Sequence, residues 1–284
     1  MRQFFSICAV ITLAGVSFAQ DIRVPADVTA GNDAVISTSG SGKATFYLSG
    51  PGVARKADVN LGESIPLSSK ELTNAGSYLA IVCSDACHSG AFCVIPDKPA
   101  SLSFLVHPSR VPVALNDAVS GIAFPFDQFH NFVLAPGTVN FQFTAGKASL
   151  LAQPVKMQNG AAWFRTTSGR SAGALQVSAT LGDIMAHRVV QQVASDACNL
   201  KVEGHPSPGG VFVQTEPVHD CAGNLLPDGT VVTFSATQAH GKSTVDAPIK
   251  QGIARAQISA SGPTTVSAAS GVVMGNELRL EAQR

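Results

Sequence analysis

One pattern appears twice in the second half of the chain. Asp127 and Asn131 recur as Asp220 and Asn224, and each asparagine is followed ten positions later by a phenylalanine, Phe141 or Phe234. Gly160, Ala161 and Ala162 recur as Gly252, Ile253 and Ala254. Self-similarity at near-domain length means one supersecondary plan used more than once. Each copy consists of short segments of alternating polarity between turn residues, which reads as the strands of an all-β sandwich.

Composition agrees with that reading. Gly 26 and Pro 16 supply turns, and 45% apolar residues suffice to fill cores, so disorder is excluded. Only 13% of residues are charged, and 19 basic residues balance 19 acidic ones. No basic field exists to hold nucleic acid or an anionic membrane. Residues 1–19 read as a secretory signal peptide: Arg2, an apolar run from Phe4 to Val16, and the small-x-small site Ser17, Phe18, Ala19. The run is shorter than the roughly 20 residues that span a bilayer, so no membrane span is expected in the mature chain. The expected product is exported, to the periplasm, cell surface or extracellular space. Cys8 leaves with the leader, and five cysteines remain.

The remaining length suits three small sandwiches in tandem, at 20–104, 105–195 and 196–284. The expected junctions, His107 to Pro112 and Ala194 to Cys198, are short and unlike flexible Gly/Ser linkers, so bending between domains should be restricted. In the first domain, Asn74, Ala75, Gly76, Ser77 and Tyr78 resemble the tyrosine corner of immunoglobulin-like domains, with Ala80 where those domains carry a cysteine. Tyr78 to Cys83 is then strand F and Ala91 to Ile95 strand G.

The third domain resembles the bacterial immunoglobulin-like domains of the invasin and intimin adhesins. The likeness is carried by Asp220, Gly223, Asn224, Pro227, Gly229, Thr230, Val232 and Phe234, then Gly252 and Ala254, then Gly262, Val266 and Ala268. The second domain shows the pattern more loosely, with Phe129 and His130 where Ala222 and Gly223 stand. The resemblance implies a fold of three immunoglobulin-like β-sandwiches and an adhesive or spacer role. In this block Asp220 and Asn224 are expected to bond their own backbone in Asx-turns, and Val232 and Phe234 to enter the core.

The cysteines read as disulfides in an oxidising compartment. Cys198 and Cys221 are expected to pair and pin the first strand of the third domain. Cys83, Cys87 and Cys93 are expected to staple the F–G hairpin as Cys83–Cys93 or Cys87–Cys93, leaving one thiol, assigned to Cys87, free or linked to a partner. With His88 they offer four soft ligands, but the spacing fits no common zinc pattern and no metal site is assigned. Asp127, Asn131, Asp220 and Asn224 supply too few carboxylates for calcium. His107, His130, His187, His205, His219 and His240 are scattered, and no catalytic motif surrounds any of them, so no catalytic residue, cofactor or enzyme activity is assigned.

Phe124, Phe126, Phe129 and Phe132 make an unusually aromatic loop, and Trp163 is the single tryptophan. Trp163 is expected in a core or between domains, and the phenylalanine cluster at an interface between domains. If exposed, these residues form the candidate partner patch, for a protein or a surface glycan. The leading function is an exported, non-enzymatic structural or adhesive scaffold at the bacterial cell envelope. The alternative is a secreted carbohydrate- or peptide-binding module.

Overall fold

The computed structural model describes residues 22–146 and 148–281; the expected leader and Cys8 lie outside the described residues. Buried apolar side chains gather in three separate cores, one for each of three β-sandwiches in tandem. No helix among the described residues is long and apolar enough to cross a membrane.

The first sandwich contains β1 (Ile22–Arg23), β2 (Asp27–Thr29), β3 (Ala34–Thr38), β4 (Lys43–Gly50), β5 (Val53–Asn60), β6 (Ser64–Leu67), β7 (Gly76–Cys83) and β8 (Cys87–Ile95). Its sheets run β1-β3-β6 and β2-β8-β7-β4-β5. The second contains β9 (Ser101–His107), β10 (Arg110–Pro112), β11 (Val119–Phe126), β12 (Thr138–Ala145), β13 (Ala148–Lys156), β14 (Ala162–Thr166), β15 (Gly173–Leu181) and β16 (Ile184–Val193). Its sheets, β14-β11-β9 and β10-β16-β15-β12-β13, repeat the same topology.

The third contains β17 (Ala197–Asn199), β18 (Val202–Ser207), β19 (Gly210–Thr215), β20 (His219–Asp220), β21 (Val231–Gln238), β22 (Gly241–Pro248), β23 (Arg255–Ser259), β24 (Pro263–Ser270), β25 (Val273–Met274) and β26 (Leu278–Glu281). One sheet is β18-β19-β23; the other is β22-β21-β24-β25, with β26 also on β24 and a short β17–β20 pair beside them.

Period-two alternation explains which faces meet. In β4, Ala44, Phe46 and Leu48 are buried while Tyr47 points out; in β21, Val232, Phe234 and Ala236 are buried. Burying each such phenylalanine stabilises its sandwich by roughly 1.5–3 kcal/mol. Proline marks where the first strand changes sheet. It has no N–H to continue a ladder. Pro25 separates β1, paired with β3, from β2, which runs parallel to β8; Pro108 separates β9, paired with β11, from β10, which runs parallel to β16. The segment Val24 to Ala26 is therefore a crossing between sheets.

The tyrosine corner is built. Tyr78 is fully buried, stacks on Phe92 with ring centroids 5.4 Å apart, and donates its hydroxyl to the Asn74 carbonyl at 2.9 Å. The first junction falls earlier than expected: β8 ends at Ile95, β9 begins at Ser101, and Phe104 is buried in the second core. His107 to Pro112 lies inside the second sandwich, at its sheet crossing.

Candidate functional site: interdomain clamps and an aromatic face

The repeated Asp/Asn pair sits in the connection between the second and third long strands of each of the two later sandwiches, β11 to β12 and β19 to β21. Both copies fold identically at the level of hydrogen bonds. Asp127 Oδ1 accepts the N–H groups of Phe129 (2.9 Å) and Asn131 (2.8 Å); Asp220 Oδ1 accepts those of Ala222 (2.9 Å) and Asn224 (2.8 Å). For Asp220 this is the expected Asx-turn; Asn224, expected to do the same, directs its side chain to Arg170 and Ala172 instead. His130 takes the left-handed conformation (φ 65°) that Gly223 takes in the other copy (φ 87°), so the loop keeps its path although the residue type changes.

The same side chains also reach the preceding domain. Asp127 Oδ2 accepts the N–H of Asp97 at 3.0 Å, and Asp220 Oδ2 accepts that of Ser195 at 2.9 Å; both donors lie in the segments between sandwiches. Asn131 Nδ2 donates to the Thr73 carbonyl (2.8 Å) while its Oδ1 accepts the Ala75 N–H (2.7 Å). Asn224 repeats the contact on the Arg170 carbonyl (2.8 Å) and the Ala172 N–H (2.8 Å). Each carboxamide is thus clamped to a carbonyl at one position and an N–H two positions later, in the loop that opens β7 or β15. Its own aspartate holds it in place: Asn131 Nδ2 lies 2.8 Å from Asp127 Oδ2, and Asn224 Nδ2 lies 3.1 Å from Asp220 Oδ2.

Both aspartates are buried. Burial alone would push their carboxyls up, but the hydrogen bonds outweigh it. For Asp127 these come from the Asn131 side chain and from the N–H groups of Asn131, Asp97 and Phe129. For Asp220 they come from the N–H groups of Asn224 and Ser195, the Asn224 side chain and the Ala222 N–H. Both carboxyls end below the usual carboxylate range. Four N–H donors occupy each carboxylate, so the pair is a filled acceptor rather than an open oxygen cage.

The receiving loops are braced from behind. In the first domain Asn74, between the two receiving residues, accepts the Tyr78 hydroxyl and donates to the Pro51 carbonyl at 3.1 Å. In the second, buried Gln192 accepts the Gly169 N–H and donates to the Ser171 carbonyl at 3.1 Å. The disulfide Cys198–Cys221 ties the second clamp loop to β17, since Cys221 directly follows Asp220. Phe129 has a separate task. It packs against the first domain's core, with its ring over Gly31, where an added Cβ would lie 2.3 Å from the ring edge.

The other members of the expected aromatic patch share one exposed face. On β11, Val119 and Ala123 point inward, so Ile122, Phe124 and Phe126 line the outer side. Phe132 packs on the two phenylalanines, with centroids 6.0 Å from Phe124 and 5.7 Å from Phe126. Trp163 and Leu105 flank Ile122 across the ladders, 63% and 57% exposed. They border a shallow hollow of about 270 Å³ with His107, Ser120 and Gly121. Trp163 is therefore neither core nor interdomain: Ala162 and Phe164 on either side take the inward positions.

The F–G cysteines also differ from expectation. Cys83 bonds Cys87, because the β7–β8 register sets them directly opposite at the hairpin tip. Cys93 lies opposite Ser77, six residues farther along the ladder, out of reach of either. Cys87 is consequently not a free thiol, and Cys93 is itself disulfide-bonded rather than the staple partner.

No family model matches the sequence, and no curated protein matches it. Solved structures do match the fold. The Escherichia coli adhesin FdeC aligns at 15% identity and a TM-score of 0.61, over 95% of this chain and 100% of that one. Invasin, described as a bacterial integrin-binding protein, aligns at 10% identity and a TM-score of 0.50, over 94% of this chain and 60% of that one. The described residues have the tandem immunoglobulin-like fold found in those bacterial adhesins.

Proposed function

We propose that this protein is an exported, non-catalytic scaffold at the bacterial cell envelope, in which stiff joints hold three sandwiches in series and the second presents an aromatic face to a partner. The observation that carries this reading is the duplicated clamp. Two equivalent loops of different sequence receive the same Asp/Asn device, which is how repeated units keep a fixed angle between neighbours. Disulfides among the described residues support an oxidising compartment. The likeness to adhesins supports a role in attachment, as fold-level analogy. Backbone NMR relaxation on the full chain tests the scaffold: the three domains should report one common tumbling time. Three separate times, each near that of a single sandwich, would refute stiff joints.

A second reading, a glycan-binding module, is favoured by one feature. The Trp163 ring is open to solvent beside the hydroxyl of Ser120 and the imidazole of His107, an arrangement suited to stacking a sugar ring while bonding its hydroxyls. Binding of the intact protein to an array of surface glycans should be lost on Trp163→Ala, with the unfolding midpoint unchanged. An unaltered binding profile would count against this face.

A further inference from the structure

The receiving site that each clamp fills recurs on the third domain. On the first it is the Thr73 carbonyl and the Ala75 N–H, followed by Gly76 with φ 148°. On the second it is the Arg170 carbonyl and the Ala172 N–H, followed by Gly173 with φ 138°. The ladders align the three domains residue by residue: Leu48 faces Ala80, Phe143 faces Val177, and Ala236 faces Val266. In that alignment the third site is the Ser259 carbonyl and the Ser261 N–H, followed by Gly262 with φ 91°.

Both groups are already engaged, from within the domain. Gln238 Oε1 accepts the Ser261 N–H at 3.1 Å, and Gln238 Nε2 donates to the Ser259 carbonyl at 3.3 Å. This is the two-pronged carboxamide contact that Asn131 and Asn224 make on the earlier domains. Gln238 ends β21, two residues beyond Ala236. The residues two beyond Leu48 and Phe143 are Gly50 and Ala145, which carry no amide. A Cβ at Gly50 would itself collide with Tyr78, 2.3 Å away. Only the third domain, then, has a side chain at this strand end that can cover the site.

We infer that Gln238 is an intramolecular plug that closes the third domain's receiving site to a further immunoglobulin-like module bearing an Asp/Asn clamp. The inference rests on the reading of the clamps as stiff joints. The physical case is competition. An incoming asparagine must displace an amide that already makes both hydrogen bonds, so seating it gains no hydrogen bond on balance. The first domain supplies no clamp of its own, since Ser39, Gly40, Ser41 and Gly42 connect β3 to β4. Among the described residues both clamps are engaged and the third site is filled, so copies of the chain do not join end to end through this device.

The plug can be moved to test it. In the full chain, Ala145→Gln sets the same side chain at the same strand position of the second domain. It should take the Arg170 and Ala172 groups, displace Asn224, and let the third domain tumble independently in NMR relaxation, while Ala145→Leu leaves the joint stiff. A stiff joint in Ala145→Gln, or equal loosening by leucine, overturns the inference. A second measurement covers a variant that misfolds: the full chain is extended by another copy of residues 194–281. The added domain should move freely when Gln238 is present and become fixed in Gln238→Ala; equal mobility in both also overturns it. Free motion at the two natural joints of the unaltered chain would instead defeat the stiff-joint reading, so the two failures are distinguishable.

Discussion

Replacing Asn131 with alanine isolates what one clamp contributes. The change removes the 2.8 Å bond to the Thr73 carbonyl and the 2.7 Å bond from the Ala75 N–H. It leaves the Asp97 N–H on Asp127 and the Phe129 ring over Gly31 in place. Two neutral hydrogen bonds at a net 0.5–1.5 kcal/mol each come to about 1–3 kcal/mol. At about 1.4 kcal/mol per tenfold, the open joint should become about 5- to 150-fold more populated. Amide hydrogen exchange in the full chain reads this directly. The Asp97 N–H stays bonded to Asp127 Oδ2 in the variant and should exchange faster by that factor. The Ala80 amide, deep in β7, should not change. An unaltered Asp97 rate would refute the idea that Asn131 holds the joint. A parallel rise at Ala80 would show instead that the first domain itself had been destabilised.

Acid should loosen both joints. The lowered pKa values of Asp127 and Asp220 mean that their contribution is fully present above the unfolded carboxylate value of about 3.9 and is lost as pH falls through the folded values. Asp127→Asn should therefore exchange faster than wild type at Ala75 at neutral pH, and the two should converge in acid; a constant difference would contradict this. Replacing Cys198 and Cys221 by serine opens a loop of 23 residues' separation, a loss of ~3 kcal/mol in the chain-entropy account. Calorimetry should show the third domain's transition fall while the first domain's stays. Gly31→Ala brings a Cβ to 2.3 Å from the Phe129 ring at a φ of 82° and should weaken the first joint. Phe129→Ala removes the collision but also the ring's packing on the first core, so its cost should be smaller in the Gly31→Ala background than in the native one; strictly additive costs would argue against the contact.

Much of the sandwich was legible because alternation is local. Val232, Phe234 and Tyr78 read correctly from their neighbours, and the Asp/Asn repeat pointed to the right loops. Trp163 was misread although its position was legible: Ala162 and Phe164 two apart leave the residue between them outward, whatever its size. Cys198 and Cys221 pair as expected, but the F–G cysteines could not be paired from spacing, because hairpin register decides which sulfurs meet, and it sets Cys83 opposite Cys87. Phe129 and Phe132 stand three residues apart, yet one enters the neighbouring domain and the other joins the outer face.

The order of residues alone determined the strands, their inward faces and the Asx-turns, because those depend on side chains and backbone within a few positions. The joints were decided only in three dimensions. Their receiving groups are the main-chain carbonyls and N–H groups of Thr73, Ala75, Arg170 and Ala172, more than fifty residues from the asparagines that bind them. Nearly every residue carries such groups, so nothing in the sequence marks the ones that folding leaves facing a neighbour, nor the pair that Gln238 covers.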